Sequence, residues 1–357
     1  MIDSQTNKSR DLRIDVLKVI GLLGIVLAHI ETNDFIFHLR NFDVPLMILC
    51  SGVLFYHSME ARKKETPNLV YLKQRVLRLL SPSWAFLFIY FMLVYAFCLM
   101  IKEPYQYTWI DILQEFFLRS RIVGLWIIRV FILVAILAPV LYKFRMRLTT
   151  NFPFMTMLLI TYVLYESLYY GLSVYGSGVS LKIMEKSLFE MIPYACIFGL
   201  GMSLESLNKS SILTTAISFF AVFIILFGLY SYLGISASTQ EYKYPPRLYY
   251  LSYGVAVSLS LYLLLDAIKI GNAFVVEVIY FISSSSLWIY LWHWVFLYGI
   301  HIVPYSSRIS PFVQYIAVLS CSILLTFVQK EIISELIDSP LIREGRYARM
   351  LSLVFLK

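Results

Sequence analysis

In the stretch RIDVLKVIGLLGIVLAHI, residues 13 to 30, a lysine and a histidine, Lys18 and His29, are separated by an unbroken run of apolar residues and glycines. An imidazole titrates near neutral pH and attacks activated carbonyls, so His29 is the first group in the chain suited to taking a proton or carrying an acyl group. At 100° per residue Lys18 falls within about 20° of His29, and Asp15 within about 40°, so the three share one helix face. Along the axis Lys18 and His29 stand about 16 Å apart, too far to touch but suited to lining one path. Asp15 and Lys18 therefore read as organisers of the far end of that path, pairing with each other or with neighbouring arginines such as Arg10. The plainer reading makes Arg10, Arg13 and Lys18 charges that set topology, with His29 an interfacial histidine.

Two more stretches carry chemistry. YLKQRVLRLLSPSW places Arg75 and Arg78 three residues apart, just before Pro82 and the next apolar run. On a helix two guanidinium forks at that spacing sit on one side and can clamp phosphate oxygens jointly, although topogenic charge facing anionic lipid explains them as well. SSSSLWIYLWHWVF sets His293 in an aromatic run with Ser286 on nearly the same face. Aromatic belts account for Trp292 and Trp294 but not for the histidine. Arg129, Glu166 and Glu190 fall inside apolar runs and need internal partners, the expectation being a salt bridge from Arg129 to one of the glutamates. His38, His57 and His301 read as ordinary interfacial residues. Cys50, Cys98, Cys196 and Cys321 lack metal-ligand spacing and read as small hydrophobes, so no metal site is expected. Phosphate-cradling glycine loops, H-E-x-x-H and G-x-S-x-G are absent from the sequence, which sets aside ATP-driven transport, zinc proteolysis and the common serine hydrolases.

The elements that position these groups follow from composition. Of 357 residues 59% are hydrophobic and only 15% charged, which identifies an all-α integral membrane protein. Ten runs long enough to cross about 30 Å of hydrocarbon lie near 13–32, 42–58, 83–101, 124–142, 152–171, 187–205, 211–233, 248–267, 284–302 and 311–332. They are too long and too little alternating for barrel strands. The stretches 106–118 and 272–282 mix aromatics with charges and read as interfacial or re-entrant pieces. The first run keeps Asp15 and Lys18 and lacks a cleavage pattern, so it counts as a span of the mature protein. The whole chain, 1–357, reads as one membrane domain with no appended soluble domain. The net charge of +8 comes from basic residues between spans, which set topology and do not point to nucleic acid. They cluster in the N-terminal tail, the 59–82 and 143–151 loops and the C-terminal tail, which places both termini in the cytoplasm.

Taken in order, these motifs resemble membrane-bound acyltransferase family 3, which includes bacterial O-acetyltransferases of cell-envelope polysaccharides. The resemblance runs over nearly the whole chain. Arg10 followed by IDVLK and VLAH is similar to the family's first span, with Lys18 where arginine is commoner. VPLMILCSG, with Ser51 and Gly52, resembles the second-span motif, methionine replacing a phenylalanine. Arg75 and Arg78 match its R-x-x-R element. GLWIIRVFILVAILAPVLY is similar to the segment that opens on Trp126, although isoleucine follows where the family has an aromatic residue. IPYACIFGLGMSL resembles its P-x-x-x-x-G segment, and SLWIYLWH its I-Y-x-x-H element, giving Tyr290 and His293.

The resemblance implies an acyl donor, usually acetyl-CoA, arriving from the cytoplasm, and an acceptor hydroxyl on a glycan such as O-antigen, capsule or exopolysaccharide, free or lipid-linked. The expected location is the bacterial cytoplasmic membrane. No permanently bound cofactor is expected, because acyl-CoA is a co-substrate. On this reading His29 is the catalytic residue, either as general base or as the carrier of a transient acyl-imidazole. Arg10, Asp15, Lys18, Arg75 and Arg78 bind or support the donor. Ser51, Trp126, Tyr290 and His293 form a second polar cluster, from which His293, Tyr290 and Ser51 are the options for stabilising an oxyanion. The competing class is a multi-span transporter or lipid-linked sugar flippase, whose intramembrane charges would form the substrate site.

Overall fold

The computed structural model describes residues 10–62, 68–119, 122–148, 150–175, 184, 187–268, 270–302, 309–339 and 345–356. Each of the ten expected runs is occupied by a helix: α1 (Leu12–Leu27), α3 (Asp43–Arg62), α4 (Asn68–Ile101), α6 (Trp126–Arg147), α7 (Asn151–Tyr175), α8 (Leu188–Ser203), α9 (Lys209–Tyr232), α10 (Leu248–Asp266), α11 (Ala273–Ile302) and α12 (Pro311–Asp338). Three shorter helices are added: α2 (Asp34–Leu39), α5 (Trp109–Phe116) and α13 (Arg346–Phe355). Among the described residues there is no strand, and nine helices are long and apolar enough to cross a membrane. The tenth, α1, has 16 residues and rises only about 24 Å. Short as it is, α1 is packed against α3, α11 and α10, so its end lies inside the bundle.

Three boundaries differ from the sequence reading, each for a polar reason. Residues 68–82 belong to the helix of the third span, which runs unbroken through Pro82 for 34 residues, so Arg75 and Arg78 stand on that helix and not in a loop ahead of it. Next to the proline the Ser83 hydroxyl donates to the Leu79 carbonyl at 2.7 Å, one turn back on the same helix. Residues 273–282, expected as an interfacial piece, form the first turns of α11, capped where the Asn272 side chain accepts from Val275 N. The serine run does not break that helix because its hydroxyls find acceptors: Ser284 donates to the Phe281 carbonyl and Ser283 to Asp15. The first helix, expected to reach residue 32, ends at Leu27, and His29 follows in a tight turn where its N–H bonds to the Val26 carbonyl.

The most buried helix is α8, while α7 and α9 expose most of their side chains as lipid-facing elements would. At the centre α3 and α8 meet backbone to backbone. A Cβ on Gly52 would overlap the Phe198 carbonyl, and one on Gly201 the Leu49 carbonyl. Small residues at such a crossing allow the close approach that packs membrane helices. The contact also fixes the level of Ser51, one residue before Gly52. Elsewhere several interior charges are paired, while the buried Glu115 accepts from the Val123 N–H. Arg129 holds Glu190 by two nitrogens, with Nη2 at 2.8 Å and Nε at 3.1 Å, and Arg247 holds Glu166 at 2.7 Å. His57 pairs with Glu205. The four cysteines are free thiols.

Gly52→Ala is expected to destabilise the protein by about 1–3 kcal/mol through overpacking against α8. Gly228→Ala, in open space on α9, should leave the thermal midpoint in detergent unchanged, and equal effects of the two would refute the close crossing.

Candidate functional site

The site is organised by one helix pair, α1 and α11, which run in the same direction. At one end of their contact the Lys18 ammonium donates to the Ser283 carbonyl at 2.7 Å, and the Ser283 hydroxyl donates to Asp15. Asp15 also accepts from Arg10 twice, Nε and Nη2 each at 2.7 Å, and the Arg10 guanidinium lies 4.3 Å from the centre of the Tyr280 ring. At the other end the His29 ring meets the His293 ring edge-on, with centroids 5.2 Å apart. Asp15 and Arg10 thus brace the two helices and line neither of the cavities described below.

Beside the lower half of this pair is a cavity of about 420 Å³. It is lined by Lys18 from α1, Ser51 from α3, Arg75 and Arg78 from α4, and Ser286 and Tyr290 from α11. Among the described residues no carboxylate lines it. Among the described residues neither Arg75 nor Arg78 has an ion-pair partner. Arg78 is exposed and Arg75 half-buried, so the guanidinium groups run from the cavity's mouth inward. One wall comes from an element that the sequence reading passed over as a basic tail. Helix α13 is tied to α11 by the Trp288 indole N–H donating to the Val354 carbonyl at 3.2 Å and by Trp288 stacking on Phe355. This brings Leu356 into the lining.

A second cavity, of about 460 Å³, lies beyond the end of α1. Its lining holds His29, Trp126, Trp294, His301 and four tyrosines, including Tyr244 and Tyr298, and among the described residues no Asp, Glu, Lys or Arg side chain. His301, read from sequence as an ordinary interfacial residue, therefore faces the same space as His29. Behind this lining a buried cluster joins Arg40, Asp43 and Lys243, with Asp43 accepting from Arg40 at 3.1 Å and lying 3.6 Å from the Lys243 ammonium. That ammonium stands 5.5 Å from the centre of the Trp126 ring, and burial pushes its pKa down to about 8 against the pull of Asp43.

The two cavities do not merge. Tyr290, which lines the first, donates its hydroxyl at 2.6 Å to the carbonyl of Gly124, which lines the second. Gly124 has φ +56° and lies under the Trp294 ring, where any Cβ would overlap the indole. Only glycine satisfies both conditions. Trp294 in turn packs edge-on against His29 with ring centroids 4.5 Å apart. The wall is therefore Tyr290, Gly124 and Trp294, with His29 on its far side. His293 lines neither cavity. Its Nδ1 is bonded to the Tyr290 carbonyl, so it carries the proton there, and Nε2 is left as a buried acceptor.

The structure thus gathers Lys18, Ser51, Arg75, Arg78 and Tyr290 around one cavity, places His29 and Trp126 at the other, and sets His293 behind His29. Sequence reasoning missed Gly124, Tyr244, Ser283, Trp294 and Leu356. Trp294 looked like one more belt aromatic, and the only hint of Gly124 was a glycine two residues before Trp126. Among the described residues no cluster of His, Cys, Asp or Glu could hold a metal ion.

A family model described as an acyltransferase domain, that of acyltransferase family 3, matches residues 11–329. No curated protein and no solved structure matches. The matched range holds every cavity residue named above except Leu356.

If Arg10 serves as a brace on Asp15, Arg10→Ala, Asp15→Asn and the double variant should show a coupling of about 1 kcal/mol in a double-mutant cycle read by thermal unfolding. Strictly additive effects would show that the two residues act apart.

Proposed function

Because the chain belongs to acyltransferase family 3 and is a membrane acyltransferase, we propose that it moves an acyl group, most simply acetyl from acetyl-CoA, onto a hydroxyl of a cell-envelope glycan, with His29 as the catalytic residue. The observation that carries this reading is the pairing of a carboxylate-free cavity, lined by Lys18, Arg75 and Arg78, with an imidazole immediately across a thin wall. Unpaired guanidinium groups on one helix face suit the phosphates of a CoA donor, and the cavity's volume suits its acyl-bearing arm. The uncharged, aromatic second cavity suits a sugar ring, whose apolar faces stack on aromatic rings while phenolic and imidazole groups meet its hydroxyls.

The chemistry follows from what the residues offer. A sugar hydroxyl loses its proton to His29 as its oxygen bonds to the thioester carbon, and the C–S bond then breaks while the proton passes to the leaving thiolate. In the covalent variant His29 first takes the acyl group itself and then yields it to the hydroxyl. Either route needs no resident cofactor. The reading also includes donor entry from the cytoplasm, where the basic loops place Arg75 and Arg78, a single membrane domain over 1–357, and residence in the bacterial cytoplasmic membrane.

His29→Ala is expected to abolish O-acylation of the host's surface glycan, measured by NMR or mass spectrometry in a deletion strain complemented with each variant. Loss of a general base alone predicts a drop of about 10²–10⁴-fold. Arg75→Ala and Arg78→Ala should raise the donor KM, with lysine restoring only part of the loss. Glycan acylation that persists in both the deletion strain and the His29→Ala strain would exclude this activity.

A further inference from the structure

A CoA thioester carries phosphate at two places, a diphosphate beyond its pantetheine arm and a monophosphate at the 3′ position of its ribose. An acyl carrier protein presents the same arm on a single phosphodiester. The cations at the donor cavity therefore bear on which donor it takes. Four of them stand in neighbour order: Lys18 is close enough to Arg75 to be repelled by it, Arg75 to Arg78, and Arg78 to Lys330. The first three line the cavity. Lys330, on α12, belongs to none of the motifs read from the sequence, and the matched range of the family model ends one residue before it.

Lys330 is held beside the cavity mouth by its packing. Its ammonium stands 5.7 Å from the centre of the Phe281 ring on α11, and that ring meets Phe327, one turn before Lys330, edge-on with centroids 5.8 Å apart. The Phe281 carbonyl accepts from the Ser284 hydroxyl at 3.1 Å, and Ser283 and Ser284 line the cavity. Helix α13 packs against both α4 and α12, so it ties the helix of Arg78 to that of Lys330. Among the described residues Lys330 makes no ion pair, and the charge that acts on it is the like charge of Arg78.

Like charges drawn together from two helices repel, more strongly beside hydrocarbon than in water, and an anion placed among them removes the repulsion. Lys18 alone of the four has a carboxylate in reach, that of Asp15. A lipid headgroup offers the same phosphate chemistry, but it would meet the outer pair, Arg78 and Lys330. It gives no account of Arg75 and Lys18, which continue the row into the cavity.

We propose that Lys330 binds the ribose 3′-phosphate of the donor while Arg75 and Arg78 hold its diphosphate, so that the row selects a free CoA thioester over an acyl carrier protein; the proposal rests on the acyl-transfer reading above. Two guanidinium forks suit the several oxygens of a diphosphate, and an ammonium serves a monophosphate as a point charge with three donors.

The test measures transfer of label into glycan from acetyl-CoA, from 3′-dephospho-acetyl-CoA and from an acetylated acyl carrier protein. The full chain is reconstituted in vesicles of zwitterionic lipid, with and without phosphatidylglycerol. In the wild type, removal of the 3′-phosphate is expected to raise the donor KM about tenfold while kcat stays within about threefold. Lys330→Gln should raise the KM for acetyl-CoA by the same factor and make the two nucleotide donors equal, and Lys330→Arg should restore the preference. Both lipid mixtures should give this result, and the carrier protein should transfer no label above background. Equal KM for the two nucleotide donors in the wild type would overturn the proposal and leave acyl transfer standing. So would a Lys330→Gln variant that keeps the tenfold preference, or a carrier protein that matches acetyl-CoA. A Lys330→Gln effect that is the same on both nucleotide donors and is lost without phosphatidylglycerol would assign Lys330 to a lipid headgroup instead. A wild type that transfers label from none of the three donors would overturn the acyl-transfer reading and this proposal with it.

Discussion

The architecture depends on one constraint: ionisable groups in an apolar bundle cannot face lipid, and α1 with the turn that follows it carries Asp15, Lys18 and His29. All three are turned onto one neighbouring helix. Asp15 and Lys18 reach Ser283 near the start of α11, and His29 reaches His293 ten residues further along it. Two parallel helices pinned at both ends can neither rotate nor slide past one another without stranding a charge. Each cavity opens beside one end of this seam, and the residues that line it inherit their positions from the register of the pair.

Charge is sorted accordingly. Among the described residues the cations that line the first cavity have no carboxylate beside them in its lining, whereas Arg129 is matched with Glu190 and Arg247 with Glu166. A buried pair contributes little net stability but is costly to break, so it fixes geometry more than it strengthens the fold. An unpaired guanidinium in a cavity has the opposite character, since its favourable interactions await an anion. Around His29 the lining is neutral and aromatic, and the nearest full charges, Arg40, Asp43 and Lys243, stand one layer back.

Much of this was legible in the residues. The face shared by Asp15, Lys18 and His29, the R-x-x-R pair on one helix side, and the partner awaiting Arg129 all follow from helical periodicity and from the cost of charge in hydrocarbon. What was hidden depended on contacts between distant segments. Pro82 and the serine run looked like breaks because nothing local reveals that each helix continues through them. Trp294 and Trp292 are equivalent on paper, and only the fold sets one over Gly124 and the other against Gln329, to which it donates at 2.6 Å. The basic C-terminal tail gave no sign that Leu356 would enter a cavity wall. Most of all, the separation of the Lys18 cavity from the His29 cavity could not be read from the helix face on which the sequence sets the two residues.

That wall has a second physical role. A bundle hollowed from both ends of α1 is close to being a channel, and water running from Arg78 to His301 would conduct protons through any energised membrane. The Tyr290 hydroxyl, the Gly124 carbonyl and the Trp294 indole interrupt that column with one hydrogen bond and one flat ring. On the acyl-transfer reading proposed above, an acyl group on a flexible arm would be presented at this partition, while the hydrogen bond and the ring stand in the path of a file of water. The insulation that holds back a proton leak is thus built from the same three residues that bring the two halves of the site within reach of each other.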